Sequence, residues 1–208
     1  MLSIIQAAGW PIWPLVLCSV LALAIVIERF INLKTARIAP PQLLEEVLGV
    51  TQAGVPSAEV IAQLEQNSAL GEVLASGLRC VNSHPRYSDD DLRESMEAAG
   101  RKVAERLEQY LPALATIASA APLLGLLGTV IGMIEIFGSQ APTGGTGGNP
   151  AQLAHGISVA LYNTAFGLIV AIPSLIFWRY FRTRVDAYLL TLELSAGRLA
   201  THLKSLRR

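Results

Sequence analysis

The sequence predicts an all-α membrane protein with three transmembrane helices, the second and third prolonged as long helices into a soluble helical region. Three observations carry this. Of 208 residues only 15% are charged and 52% are hydrophobic, with a mean hydropathy of +0.45, a balance that belongs to a bilayer protein with a soluble portion. Three stretches, Ile12 to Leu33, Leu111 to Phe137 and Leu153 to Phe181, each reach the roughly 20 apolar residues needed to cross about 30 Å of hydrocarbon. Between Glu108 and Arg179, Glu135 is the one formally charged side chain. Lipid offers no partner to bare backbone amides, so each span must be helical.

The elements follow in order. Residues 1–11 form a stub without charge. Span one, 12–33, meets no charge before Glu28. Ala22 and Ala24 resemble a cleavage site, but no basic region precedes them and the apolar run continues through Val26, so the span reads as uncleaved. Glu28 and Arg29 at its end read as interfacial anchors. Residues 34–110 read as helices punctuated by Gly and Pro: Gln42 to Gln52, Ser57 to Gln66 and Ala69 to Asn82, then a break at His84 and Pro85. Ser88 followed by Asp89, Asp90 and Asp91 is an N-cap with a capping-box acid, so a helix starts there. Apolar residues recur from Leu92 to Leu114 at helical spacing, which predicts a helix running straight into span two, 111–137, as a rod of roughly 75 Å. Pro112, Pro122 and Pro173 are placed to kink helices and free carbonyls.

The connector, 138–152, contains Thr143-Gly144-Gly145-Thr146-Gly147-Gly148-Asn149-Pro150. It lacks the Lys-Ser/Thr ending of a phosphate loop and reads as a flexible turn. After span three, 153–181, the tail 182–208 carries a stripe through Val185, Leu189, Leu192, Ala196, Leu199, Leu203 and Leu206. That stripe asks for a partner, either the same chain's soluble helices or another subunit.

Basic residues orient the chain. Lys34 and Arg37 follow span one, Arg101, Lys102 and Arg106 precede span two, and Arg179, Arg182 and Arg184 follow span three. All three clusters predict the cytoplasmic side, with the N-terminus periplasmic and the C-terminus cytoplasmic in a bacterial inner membrane. A net charge of zero with a basic tail beside the membrane points to lipid contact and not to nucleic acid. Cys18 and Cys80 fall in different compartments, so no disulfide is expected. The spans hold no nucleophile paired with a base, no metal-ligand cluster and no phosphotransfer acid, so the reading is not an enzyme, with no cofactor and no metal.

Small residues recur along span two at Ala118, Ala121, Gly125, Gly128 and Gly132, and along span three at Gly156, Ala160, Gly167 and Ala171. Such surfaces let helix backbones approach in lipid. Thr129 and Thr164 fall on these stripes, where another helix docks. Thr116, Ser119, Ser158 and Tyr162 are the other polar groups at depth, and hydroxyls there commonly bond the carbonyl one turn earlier. Asn163 is costlier to bury and must bond across to a neighbouring helix or face water. Glu135 lies about 120° around the helix from Thr129 and has two readings: a rim carboxylate near His155, or an ion relay at the outer mouth. Three spans cannot enclose a pathway, so a pore requires several chains.

The runs Ala118 to Met133, Gly156 to Leu161 and Thr164 to Pro173 closely resemble the MotA/TolQ/ExbB proton-channel family, and the three-span layout is similar to its ExbB-type members. The resemblance implies a homopentamer whose spans two and three line a pore around the single helices of an ExbD-like partner, with work passed to a TonB-like protein that energises outer-membrane transport. TolQ-type members share the layout, and a scaffold that stabilises its partner without conducting is the rival class. Thr129 and Thr164 match the family's pore-facing threonines. Family members place a glutamate five residues before the second threonine, where this chain has Val159. Valine carries no proton, so the resemblance implies that the partner's aspartate titrates, with Thr129, Thr164 and Asn163 as its hydrogen-bonding neighbours.

Overall fold

In a computed structural model of the chain, residues 10–52, 54–83, 87–139 and 150–206 are described. Most of the stub, the break at His84 and Pro85, and the Gly-rich connector lie outside the described residues. The helices are α1 (Ile12–Asn32), α2 (Thr35–Ile38), α3 (Leu43–Gln52), α4 (Ala58–Asn67), α5 (Ala69–Ser83), α6 (Asp89–Glu108), α7 (Leu111–Ser139) and α8 (Pro150–Leu206). Three helices are long and apolar enough to cross a membrane, and no strand occurs among the described residues. Span three and the tail are one helix. The chain divides into two compact units, one of Met1–Glu28 with Tyr110–Tyr180, the other of Arg29–Gln109 with Phe181–Arg208.

The second unit gathers the soluble helices and the tail. At its start, α6 has the capping box that the acidic run after Ser88 predicts: Asp91 N–H donates to Ser88 Oγ at 3.0 Å and Ser88 N–H to Asp91 Oδ2 at 2.8 Å. Successive helices α4, α5 and α6 pack on one another. Ser95 Oγ donates to the Ser76 carbonyl, and Met96 fills the space over Gly77. Val73, Leu74, Leu78, Val103 and Phe181 form the buried centre, with Phe30 edge-on to Phe181 at 5.0 Å. The tail stripe is spent here as well: Val185, Leu192, Leu199 and Leu203 are buried, so its main partner is the same chain. Tyr188 fastens α8 to the end of α1, donating to the Leu33 carbonyl at 3.2 Å and receiving Arg184 Nη2 at 2.6 Å and the Thr35 hydroxyl at 3.0 Å.

Two sequence expectations need correction. The rod from Asp89 does not run unbroken: α6 ends at Glu108, Gln109 turns to ψ 137°, Tyr110 takes φ 66° and α7 restarts at Leu111. Pro112 explains the site of the break, because a continuous helix would lose its bond to the Glu108 carbonyl and drive its ring into that group, whereas proline is tolerated in a helix's first turn. Pro122 and Pro173, by contrast, lie inside α7 and α8 without ending them.

The break leaves the last carbonyls of α6 without the amides that a continuing helix would supply. Arg29 takes one of them. Its side chain is no headgroup anchor: the residue is 3% exposed and Nη1 donates to the Leu107 carbonyl at 3.0 Å. A cation at a helix C-terminus is also favoured by the dipole. Replacing Arg29 by Met keeps the apolar stem and removes the donor, so it is expected to cost about 1–3 kcal/mol, read as a lower midpoint in detergent unfolding. An unchanged midpoint would remove Arg29 from the cap.

Candidate functional site: the threonine flank of the α7–α8 hairpin

In the first unit α7 and α8 lie against each other with almost no gap. A Cβ added to Gly125 would stand 2.7 Å from the Asn163 carbonyl oxygen and 2.9 Å from Thr164 Cα. One at Gly128 would meet Asn163 Cβ at 2.8 Å, one at Gly132 Ala160 Cβ at 3.2 Å, and one at Gly167 the Ala121 carbonyl oxygen at 2.6 Å. Gly156 faces Ile136 in the same way. Positions rise along α7 as they fall along α8, so the pair is antiparallel, and the small residues of both helices meet within one chain.

The contact stripe of α8 runs Gly156, Ala160, Asn163, Gly167. Its steps of four, three and four follow the 3.6-residue turn more closely than the four-residue steps from Gly156 through Ala160 to Thr164, the stripe that the small residues suggest for that threonine. Asn163, 2% exposed, therefore occupies the seam against Gly128, and Thr164 stands at its edge. Helical rotation places Thr164 about 70° from the centre of its stripe and Thr129 about 70° from the centre of the Ala121, Gly125, Gly128, Gly132 stripe, in the same rotational sense. In an antiparallel pair equal rotations of one sense point to one side. The two threonines thus share a flank of the hairpin, about one turn or 6 Å apart along it, since Thr164 sits beside Gly125.

Their hydroxyls differ in state. Thr129 Oγ1 donates to the Leu126 carbonyl at 2.7 Å and borders a shallow apolar hollow of about 570 Å³ shared with Met133 and Phe137. Thr164 makes no hydrogen bond among the described residues. Both residues are half-buried, amid exposed Leu126, Leu161 and Leu168. Four other hydroxyls of spans two and three are occupied at home: Thr116 bonds Pro112, Ser119 bonds Ala115, Ser158 bonds Ala154 and Ser174 bonds Val170, each through the carbonyl four residues back.

Glu135 is exposed and lies about 50° to the opposite side of the α7 stripe, away from both threonines. Its partner in the rim reading, His155, has a side chain outside the described ones, as has Val159. Chemically the flank offers one uncommitted hydroxyl that donates and accepts, a second that accepts, and apolar surroundings that strengthen any polar contact made there. It can orient a proton or water but not store a charge. Among the described residues no cluster of three or more His, Cys, Asp or Glu side chains comes together. Burial, and then the Asp91 carboxylate, push the Cys80 thiol up, the opposite of an activated nucleophile.

Residues 65–194 match the MotA/TolQ/ExbB proton channel family. Biopolymer transport protein exbB1 of Vibrio cholerae is 35% identical over 173 residues, covering 81% of this chain and 73% of that protein. The putative biopolymer transport protein ExbB-like 3 of Synechocystis is 32% identical over 180 residues, covering 86% and 83%. The Tol-Pal system protein TolQ of Haemophilus influenzae is 36% identical over 124 residues, covering 59% and 54%.

Proposed function

The chain belongs to the MotA/TolQ/ExbB proton channel family, and from that premise we propose that it is the pore-forming stator subunit of an inner-membrane motor driven by the proton-motive force, ExbB-like in role. It assembles as a homopentamer around an ExbD-like single-span protein and energises TonB-dependent transport across the outer membrane. The observation that carries this is the threonine flank: two hydroxyls on one side of a tightly seamed hairpin, with no acid of the chain's own beside them. A surface that can hydrogen-bond a carboxyl group but contains none suits a pathway whose titrating acid arrives on another protein.

The basic clusters flanking the spans set the orientation, with the N-terminus periplasmic and the soluble unit in the cytoplasm. Family names among the relatives divide between ExbB and TolQ, and the ExbB-named proteins above align over more of this chain. That difference favours the role in transport over the TolQ role in envelope maintenance.

The test is reconstitution. Purified protein alone in lipid vesicles is expected to pass few protons, and co-reconstitution with a single-span partner carrying a membrane aspartate is expected to raise the flux at least tenfold. Equal flux with and without the partner would overturn the division of labour, and no flux with either would favour a scaffold.

A further inference from the structure

Most basic side chains of the second unit are spent on its own acids. On α6, Arg101 meets Glu97 and Arg106 meets Glu72, and on α8, Arg182 meets Glu108, Arg198 meets Glu45 and Lys204 meets Asp89. Lys34, Arg37 and Arg184 are different, for none of them is in an ion pair among the described residues. Asp186, the acid closest to Arg184 in the sequence, is taken by Arg182 at 3.2 Å.

These three cations gather at one place. Arg184 Nη2 reaches Thr35 Oγ1 at 3.5 Å, and Lys34 and Arg37 flank Thr35 in the sequence, at the start and within the short helix α2. Tyr188, 7% exposed, holds the guanidinium: its hydroxyl accepts Nη2 at 2.6 Å and its ring centroid lies 5.3 Å from Arg184 Cζ. That hydroxyl is itself fixed by the Leu33 carbonyl at 3.2 Å. Arg184 is thus oriented without being neutralised, because a hydroxyl accepts a hydrogen bond but brings no negative charge. The other N–H donors of its planar fork are left for an acceptor from elsewhere. Like charges gathered in this way repel, and an anion among them relieves the repulsion.

Position selects the anion. Lys34 stands two residues past the end of the α1 span, and Arg184 three residues past Phe181, where the apolar stretch of span three ends. Both belong at the membrane border, the level of lipid phosphates. Phe30 and Ile31, 47% and 49% exposed, immediately precede the cluster on α1. They offer apolar surface that suits an acyl chain and that a free phosphate has no use for. We propose that Arg184, Lys34 and Arg37 bind the phosphodiester of an anionic phospholipid, with an acyl chain along Phe30 and Ile31. Arg184 takes two phosphate oxygens with its fork, and Lys34 and Arg37 close on the same group from the α2 side. The bound lipid ties α2 to α8 beside the Tyr188 contact. The cluster borders the membrane whichever way the chain is inserted, so its failure would leave the preceding section as it stands.

The test uses the full chain purified in an uncharged detergent. It is titrated with phosphatidylglycerol or with phosphatidylcholine of the same acyl chains, and the unfolding midpoint is read. Phosphatidylglycerol is expected to raise the midpoint at a concentration at least fivefold below phosphatidylcholine. Lys34→Gln with Arg37→Gln is expected to weaken that response at least fivefold, since one cation at an anionic lipid surface contributes about that factor. Its lipid-free midpoint is expected to stay at the wild-type value, because neither side chain bonds Tyr188. Arg93→Gln with Arg101→Gln removes the same charge from α6 and is expected to respond as wild type. A wild-type response in the Lys34 and Arg37 variant, or an equal loss in the α6 variant, would overturn the site. Inorganic phosphate that reproduces the effect of phosphatidylglycerol at the same concentration would overturn the lipid as its ligand.

Discussion

Thr164→Val is expected to lower energised transport by roughly tenfold to a hundredfold while leaving the oligomer assembled. Valine keeps the shape of threonine and removes only the hydroxyl, and that hydroxyl has no hydrogen bond among the described residues. In the pathway proposed above, its partner is the acid carried by another protein. A hydrogen bond to a charged or titrating group contributes about 1.5–3 kcal/mol, and each 1.4 kcal/mol or so in a barrier is about a decade in rate. Thr129→Val should fall by less, because the Thr129 proton is already given to the Leu126 carbonyl and only its acceptor capacity faces outward. Thr164→Ser should restore most of the rate, since it returns the hydroxyl at nearly the same place. The measurement is the uptake rate in cells set beside the oligomer mass of the purified variant. A wild-type rate in Thr164→Val would remove that hydroxyl from the pathway, and a low rate with a dispersed oligomer would assign it to assembly instead.

Much of the fold was legible because its signals are local. Hydropathy over some twenty residues marks the spans, and Ser88 with Asp91 marks the start of α6 within four residues. The break at Gln109 and Tyr110 was marked too, by Pro112, but proline has two meanings. Near a helix start it permits a new helix and forbids the old one, whereas Pro122 and Pro173 lie inside their spans without ending them. Arg29 was not legible. Its acceptor lies 78 residues away, and a basic residue at a span's end looks the same in sequence whether it reaches headgroups or a buried carbonyl. The candidate site was half legible: composition identified the small faces, but on a helix of 3.6 residues per turn a four-residue step drifts by about 40°, so two of them carry Thr164 about 80° from Gly156, whereas alternating four and three steps drift by only about 20° per seven residues. That drift is enough to move Asn163 into the seam and Thr164 to its edge.

The seam in turn decides where the threonines point, and its glycines yield the second large effect. Gly125 and Gly167 approach backbone, the Asn163 and Ala121 carbonyl oxygens at 2.7 and 2.6 Å from a built Cβ, and backbone inside two packed helices cannot step aside. Gly132 meets only the Ala160 methyl at 3.2 Å, and Gly156 meets the flexible end of Ile136. Overpacking a tight contact costs about 1–3 kcal/mol for small additions and more for large ones, against a total stability of about 5–15 kcal/mol. Gly125→Ala and Gly167→Ala are therefore expected to lower the unfolding midpoint clearly, Gly132→Ala and Gly156→Ala slightly, and Gly125→Leu to remove the folded protein from the membrane. Gly49→Ala, inside α3 where a Cβ meets nothing within 4 Å, serves as the control and should equal or slightly exceed wild type, since alanine is the better helix former. Detergent unfolding and membrane levels measured together give the ranking. If Gly125→Leu accumulates normally and still works, α7 and α8 do not meet along this stripe. The rotation that sets Thr129 and Thr164 on one flank then fails with it, because the glycines alone fix that rotation.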